Sequence, residues 1–241
     1  MGNDDGGILE LDLMGSWQIR REGRVVHVAA RQQRLIAALA VHGASLRNYL
    51  AGMLWPDYPD AKALESLRVA VHLMTRQVPG LLVKDGALLS LDNRVAVDLH
   101  RVRALLKDAA VANTGTTWTL LRDLRDLDFL PGWYEDWVLF EQSRLRHDLL
   151  RAFTLVSRQF AAGGDHEAAA EAAVAALEIE PLYESAVRVL VTSELAQGNL
   201  AAALLAYDKY QERLLEDMGV RPSEGLRQLI NGIIRSPAPA A

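Results

Sequence analysis

Six histidines, His27, His42, His72, His100, His147 and His166, are scattered along the chain, and no two have the HExxH spacing that sets two imidazoles on one helix face around zinc. Asp123, Asp126 and Asp128 fall together in "DLRDLDFL", a segment that reads as a solvated face or helix end rather than a cation site. No GxxxxGK[ST] loop is present to cradle a nucleotide's phosphates. The chain has no cysteine, which excludes disulfides, zinc–thiolate sites and thiol nucleophiles. With no acid–base pair placed by spacing, the sequence assigns no enzymatic reaction, no metal and no cofactor.

The residues whose spacing does suggest a chemistry lie in "DAKALESLRVAVHLMTRQVPG", Asp60 to Gly80. At about 100° per residue, Leu64, Leu67, Val71, Met74 and Val78 share a narrow apolar arc that must be buried. Lys62, Val69, Leu73 and Arg76 lie almost opposite, flanked by Glu65, Ser66 and His72, with Arg68 and Thr75 at the edge of the stripe. A helix that reads a DNA major groove needs a few donors for base edges and small or apolar groups for thymine methyls. Lys62, Ser66, Arg68, His72 and Arg76 supply donors here, and Val69 and Leu73 supply apolar contacts. The competing reading is a helix buried on both sides against another domain, which accounts better for Leu73. Phosphate contacts are expected from Arg47 at the start of the preceding helix, where backbone N–H groups attract anions. Arg31 and Arg34 open the first helix, and Lys84 and Arg94 decorate the hairpin that follows.

The surrounding elements suit that use. "ILELDLMGSWQIRREGRVVHV" alternates and reads as short strands over Ile8–Leu13, Trp17–Arg20 and Val25–Val28. "RQQRLIAALAVHG" is an amphipathic helix closed by Gly43. Ser45 is an N-cap candidate for a second helix that stops at Pro56, and Asp60 for the third. "LLVKDGALLSLD" is a hairpin around Asp85-Gly86, and "RVAVD" a last short strand. Strands, three helices and a hairpin are the order of a winged helix-turn-helix with an extra N-terminal sheet, the hairpin being the wing.

From about Val102 onward the helical pattern dominates, and "DAAVANTGTTW" is the best linker candidate. "GDHEAAAEAAVAALEIEP" from Gly164 and "GNLAAALLAYDKYQERL" from Gly198 match at an offset of 34 residues, the tetratricopeptide spacing. Ala168, Ala169 and Ala172 correspond to Ala202, Ala203 and Ala206, and Leu149, Ala152, Phe153 and Val156 to Tyr183, Ala186, Val187 and Leu190. Such repeats carry no intrinsic chemistry and stack into a surface that binds partners. Trp133, Tyr134 and Trp137 in "LPGWYEDWVLFE" are expected to plug the end of the solenoid. The domains expected are a winged helix over 1–107, a helical repeat domain over 108–235, and a disordered tail, "SPAPAA", over 236–241.

The chain has 241 residues and a formal charge of -5. Residues 1–107 hold 14 Lys and Arg against 11 Asp and Glu, a net +3, and residues 108–241 hold 12 against 20, a net -8. This asymmetry suggests a different partner for each half, or ordinary variation between two domains. There is no apolar run long enough for a span and the start is acidic, so a cytoplasmic chain with no membrane partner is expected.

"LMGSWQIRREGRVVHVAARQQRLIAALAVHG", "LAGMLWPDYPDAKALESLRVAV" and "RVAVDLHRVRALL" resemble the N-terminal, OmpR-like winged helix-turn-helix of the Streptomyces antibiotic regulatory protein (SARP) family. "LPGWYEDWVLFEQSRLR", "EPLYESAVRVLV", "QGNLAAALLAYDKY" and "LEDMGVRPSEGLRQLI" resemble that family's bacterial transcriptional activation domain. The likeness runs from about Ile8 to Ile230. It implies a mostly α fold with a small β component, the winged helix followed by a tetratricopeptide-like α-helical domain. It also implies an activator that binds direct repeats in double-stranded DNA as a side-by-side homodimer and recruits RNA polymerase through the sigma and alpha subunits. The third helix departs from the family's pattern. Met74-Thr75 stands where the family carries "LR", and Leu73 occupies an arginine-like polar position. The alternative function is therefore a protein-binding adaptor or ligand sensor whose degenerate winged helix does not bind specific DNA. An activator needs Val69, His72, Leu73 and Arg76 exposed, and an adaptor of this kind would bury them.

Overall fold

The computed structural model describes residues 8–109 and 114–235, with side chains to residue 232. The alternation near the start becomes β1 (Leu9–Asp12), whose Leu9 and Leu11 point inward while Glu10 and Asp12 stay partly exposed. It pairs antiparallel with β2 (Gln18–Arg21), which pairs with β3 (Arg24–Val25). α1 (Ala30–His42) follows and ends at Gly43, whose φ of 69° and N–H bond to the Leu39 carbonyl close the last turn as expected.

The two expected caps are not used. Ser45 lies in a two-residue strand, β4 (Ser45–Leu46), and its hydroxyl donates to the Gly43 carbonyl, 3.1 Å away. α2 (Arg47–Leu54) therefore starts after Leu46, with no side-chain cap. Asp60 is the first residue inside α3 (Asp60–Gln77), where its charge favours the helix N-terminus without capping it. The wing comprises β5 (Leu82–Asp85) and β6 (Leu88–Leu91), with Gly86 at φ 54° in the first of two loop positions. β4 joins it to give a three-stranded sheet in the order β4-β6-β5.

β7 (Ala96–Val97) runs parallel to β1 and completes a four-stranded sheet, β3-β2-β1-β7. Asp98 opens α4 (Asp98–Asp108), and its carboxylate accepts the N–H groups of Leu13, Met14 and Leu99. Burial pushes this carboxyl above the usual carboxylate range, and the three N–H groups act against that rise.

The remaining helices are α5 (Thr114–Asp123), α6 (Asp136–Gly163), α7 (His166–Ile179), α8 (Glu184–Ala196), α9 (Leu200–Met218) and α10 (Glu224–Arg235). The 34-residue period is realised in backbone geometry. Gly164 and Gly198 take φ of 83° and 80°. Their N–H groups bond to Ala161 and Leu195, and those of the next residues, Asp165 and Asn199, to Phe160 and Glu194. The same pair of bonds thus ends the first helix of each hairpin, α6 and α8. Alanines on α7 let it pack closely on α6 and α8, around Phe153, Val156, Ala172, Ala176 and Ala186.

The chain divides into two units, but not at residue 107. One comprises the residues up to Ala104 together with Leu127–Leu145, and the other Leu105–Asp126 together with the residues from Arg146 on. The expected linker is partly helix. Residues 110–113 lie outside the described residues, whereas Thr114–Trp118 begin α5, and Trp118 sets its ring edge-on to Phe153 at 6.1 Å. The aromatic segment, expected to plug the end of the solenoid, belongs to the winged-helix unit. Leu130 donates its N–H to the Leu13 carbonyl at 2.8 Å, and Met14 and Phe129 form an antiparallel bridge. Trp137 packs on the core made by α1, α2, α3 and β6, while Tyr134 is exposed. Arg34 of α1 pairs with Glu135 at 2.7 Å, and Arg103 of α4 pairs with the buried Glu141. The expected tail, 236–241, lies outside the described residues.

Candidate nucleic-acid interface

α3 is fixed by its apolar face and free on the other. Ala63, Leu67, Ala70 and Val71 are buried against Leu35, Leu39, Leu50 and Leu54, and Met74 is buried too. On the opposite side Lys62, Glu65, Val69, His72, Leu73 and Arg76 form one continuous exposed stripe, with Arg68 beside it and Ser66 half-buried. Val69 is 53% and Leu73 44% exposed. Among the described residues none pairs with Arg68, His72 or Arg76. Lys62 is partly committed, its ammonium sitting 4.4 Å from the centre of the Tyr58 ring in the turn before α3. Thr75 is no reading group, because its hydroxyl donates to the Val71 carbonyl one turn back at 2.8 Å.

Arg47 is the first residue of α2, and the wing holds it there: its N–H donates to the Ala87 carbonyl at 3.0 Å and its Nε approaches the Gly86 carbonyl at 3.5 Å. The first turn of α2, α3 and the wing are thereby fastened to one scaffold. Lys84 is exposed on β5. Two arginines named as phosphate contacts are spent otherwise. Arg94 lies after β6, not on the wing, and its Nε and Nη2 grip Asp92 at 3.0 and 3.1 Å. Side-chain and backbone hydrogen bonds from Arg94 hold the Asp92 carboxyl below the usual range, so the aspartate stays ionised and neutralises its partner. Arg34 is taken by Glu135.

One feature of this end of the molecule escaped the pattern reading. The guanidinium of Arg21 donates to the carbonyl of Pro79, just beyond α3, and the Gln77 amide donates to the carbonyl of His27. The N-terminal hairpin is thus tied to the end of α3. The signal in "RREGR" was the pair of arginines facing across a two-residue turn.

The bacterial transcriptional activator domain matches residues 93–234, more than half of the chain. The chain belongs to this family. The matched stretch covers the described helical unit up to residue 234 and also Leu127–Leu145, so the activator-domain family's sequence signature extends into the unit that carries α3. The regulatory protein AfsR of Streptomyces coelicolor is 26% identical over 97% of this chain, which spans 25% of that relative's length. The structure of Mycobacterium tuberculosis EmbR in complex with a low-affinity phosphopeptide superposes with a TM-score of 0.73 at 22% identity, over 97% of this chain and 67% of that one. The winged helix followed by the activator domain is the organisation of the SARP regulators, and the activator-domain family is one of transcriptional regulators.

Proposed function

We propose that the chain is a DNA-binding transcriptional activator that works as a homodimer on double-stranded DNA and recruits RNA polymerase, through its sigma and alpha subunits, with the helical unit. The observation that carries this reading is the exposed stripe of α3, in a helix-turn-helix whose other face is fully packed. Arg68 and Arg76 are the donors best suited to guanine O6 and N7, where a bidentate contact is worth about 1–3 kcal/mol of discrimination. Ser66, His72 and Lys62 supply weaker donors, and Val69 and Leu73 meet thymine methyls. Arg47 and Lys84 hold phosphates on either side. A net +3 over residues 1–107 gives only modest non-specific affinity, which pairing of protomers would double in contact number. Among the described residues no helix is long and apolar enough to cross a membrane.

The test is a gel shift at low salt with promoter fragments, comparing wild type with the double variant Arg47→Ala plus Arg76→Ala. Binding by wild type that is lost in the double variant is the expected result. A wild type that shifts no duplex would favour the adaptor reading.

A further inference from the structure

We propose that Glu65 is a specificity-determining residue, whose carboxylate accepts the N4 amino group of one cytosine in the major groove. This rests on the reading of α3 as the groove helix. Leu67 is buried and Leu64 packs on the same core, so the rotation of α3 about its axis is fixed, and with it the direction of the residues between them. At about 100° per residue, Glu65 lies within about 40° of Val69 and about 20° of Arg76, on the midline of the open face. A carboxylate there cannot be turned away from a bound duplex unless Leu67 leaves its core.

Neither the helix nor its neighbours use this charge. Glu65 is exposed and is the sixth residue of α3, beyond the first turn in which the helix dipole favours a carboxylate. Lys62 and Arg68 stand three residues away on either side. Lys62 sits over the Tyr58 ring, and among the described residues neither cation pairs with Glu65. An unpaired acid facing a polyanion weakens binding wherever it finds no donor, and so acts against wrong sequences.

The donors available to it are few. Guanine presents two acceptors in the major groove, N7 and O6, and thymine presents an acceptor and a methyl. Adenine has an N6 donor, but its N7 acceptor stands beside it. Cytosine offers the N4 donor with no acceptor of its own there. Glu65 therefore favours cytosine at one position and disfavours the other three bases. Val69 is about 6 Å further along the helix axis and Arg76 about 16 Å, so a cytosine, a thymine methyl and a guanine are met in that order along α3.

The probe is a random-sequence duplex pool, selected in parallel by the wild-type chain, Glu65→Gln and Glu65→Ala, with affinities for the selected duplexes measured by fluorescence anisotropy. Wild type selects cytosine at one position, and changing that base pair weakens binding about 5- to 150-fold, as about 1–3 kcal/mol per mismatched pair implies. Glu65→Gln, whose amide matches the N6 and N7 of adenine, switches the selected base to adenine at that position alone. Glu65→Ala loses the preference there and binds unselected duplexes more tightly than wild type. Variants that select the wild-type sequence at every position, with affinity raised evenly, overturn the assignment of Glu65 while leaving α3 as the reader. A wild type that selects no duplex overturns both.

Discussion

Replacing Arg103 with alanine strands a buried carboxylate. Glu141 is 4% exposed; its Oε1 accepts Nε of Arg103 at 3.2 Å and a shorter bond from Nη2, while Nη1 donates to the Val41 carbonyl at 2.9 Å. Without the guanidinium, Glu141 keeps, among the described residues, one ion pair, with Arg144 3.9 Å away, and one of the last carbonyls of α1 loses its donor. Breaking a buried pair from one side costs about 3–5 kcal/mol. The Arg103 side chain is 28% exposed, so water reaches part of the site and the lower end, about 3 kcal/mol, is expected. Glu141→Ala should cost less, about 1–2 kcal/mol, because Arg103 can turn toward water and keep its bond to Val41. The double variant should fall short of the sum by about 1–2 kcal/mol. Urea unfolding followed by tryptophan emission is the assay, since Trp17, Trp55, Trp133 and Trp137 belong to the winged-helix unit and only Trp118 to the other. Additive single variants, or an Arg103→Ala protein within about 0.5 kcal/mol of wild type, would refute the reasoning.

In the helical unit, burial works to raise the Glu184 carboxyl, but the Ser223 hydroxyl and N–H, the Tyr210 hydroxyl and Arg188 outweigh it and hold Glu184 below its usual value. A depressed folded value stabilises above the unfolded one, about 4.3, and that stability is lost as pH falls through the folded value. The stability gap between wild type and Glu184→Gln should therefore be constant at neutral pH and close on acidification. Burial and the same carboxylate push the Tyr210 phenol up to about 12, so its ultraviolet titration should come late and move earlier in Glu184→Gln. Gly164→Ala and Gly198→Ala meet no neighbouring atom, so each should cost only the left-handed backbone penalty, about 1–2 kcal/mol by thermal or urea unfolding. Met74→Ala should lose about 2–5 kcal/mol of stability, whereas Leu73→Ser, one residue away, should leave stability nearly unchanged and weaken DNA binding.

Periodicity carried most of this fold. The arc of Leu67, Val71 and Met74 is packed as the 3.6-residue spacing requires, and the glycines of the 34-residue repeat close their helices through matching bonds. Val69 and Leu73 lie on the open side of α3, as their wheel positions demand. What failed was long-range. Ser45 has the chemistry of a cap, but pairing with Leu89 draws it into the wing sheet. Trp137 and Glu141 sit in a helical stretch that looks continuous with the repeats, and only their partners, Arg103 and the α1–α3 core, assign them to the winged helix. Arg34 reads as a surface cation because its carboxylate, Glu135, is brought to it only by folding, whereas the partner of Arg94, Asp92, stands two residues before it.

Placement of α3 in the major groove is tested most directly by cleavage mapping. The chain has no cysteine, so Val69→Cys provides a single thiol to carry a DNA-cleaving iron chelate. Cuts clustered on the two edges of one major groove inside the protected site, absent when the thiol is capped beforehand, are the predicted result. An intact duplex, held by the labelled protein yet uncut near that residue, would contradict it.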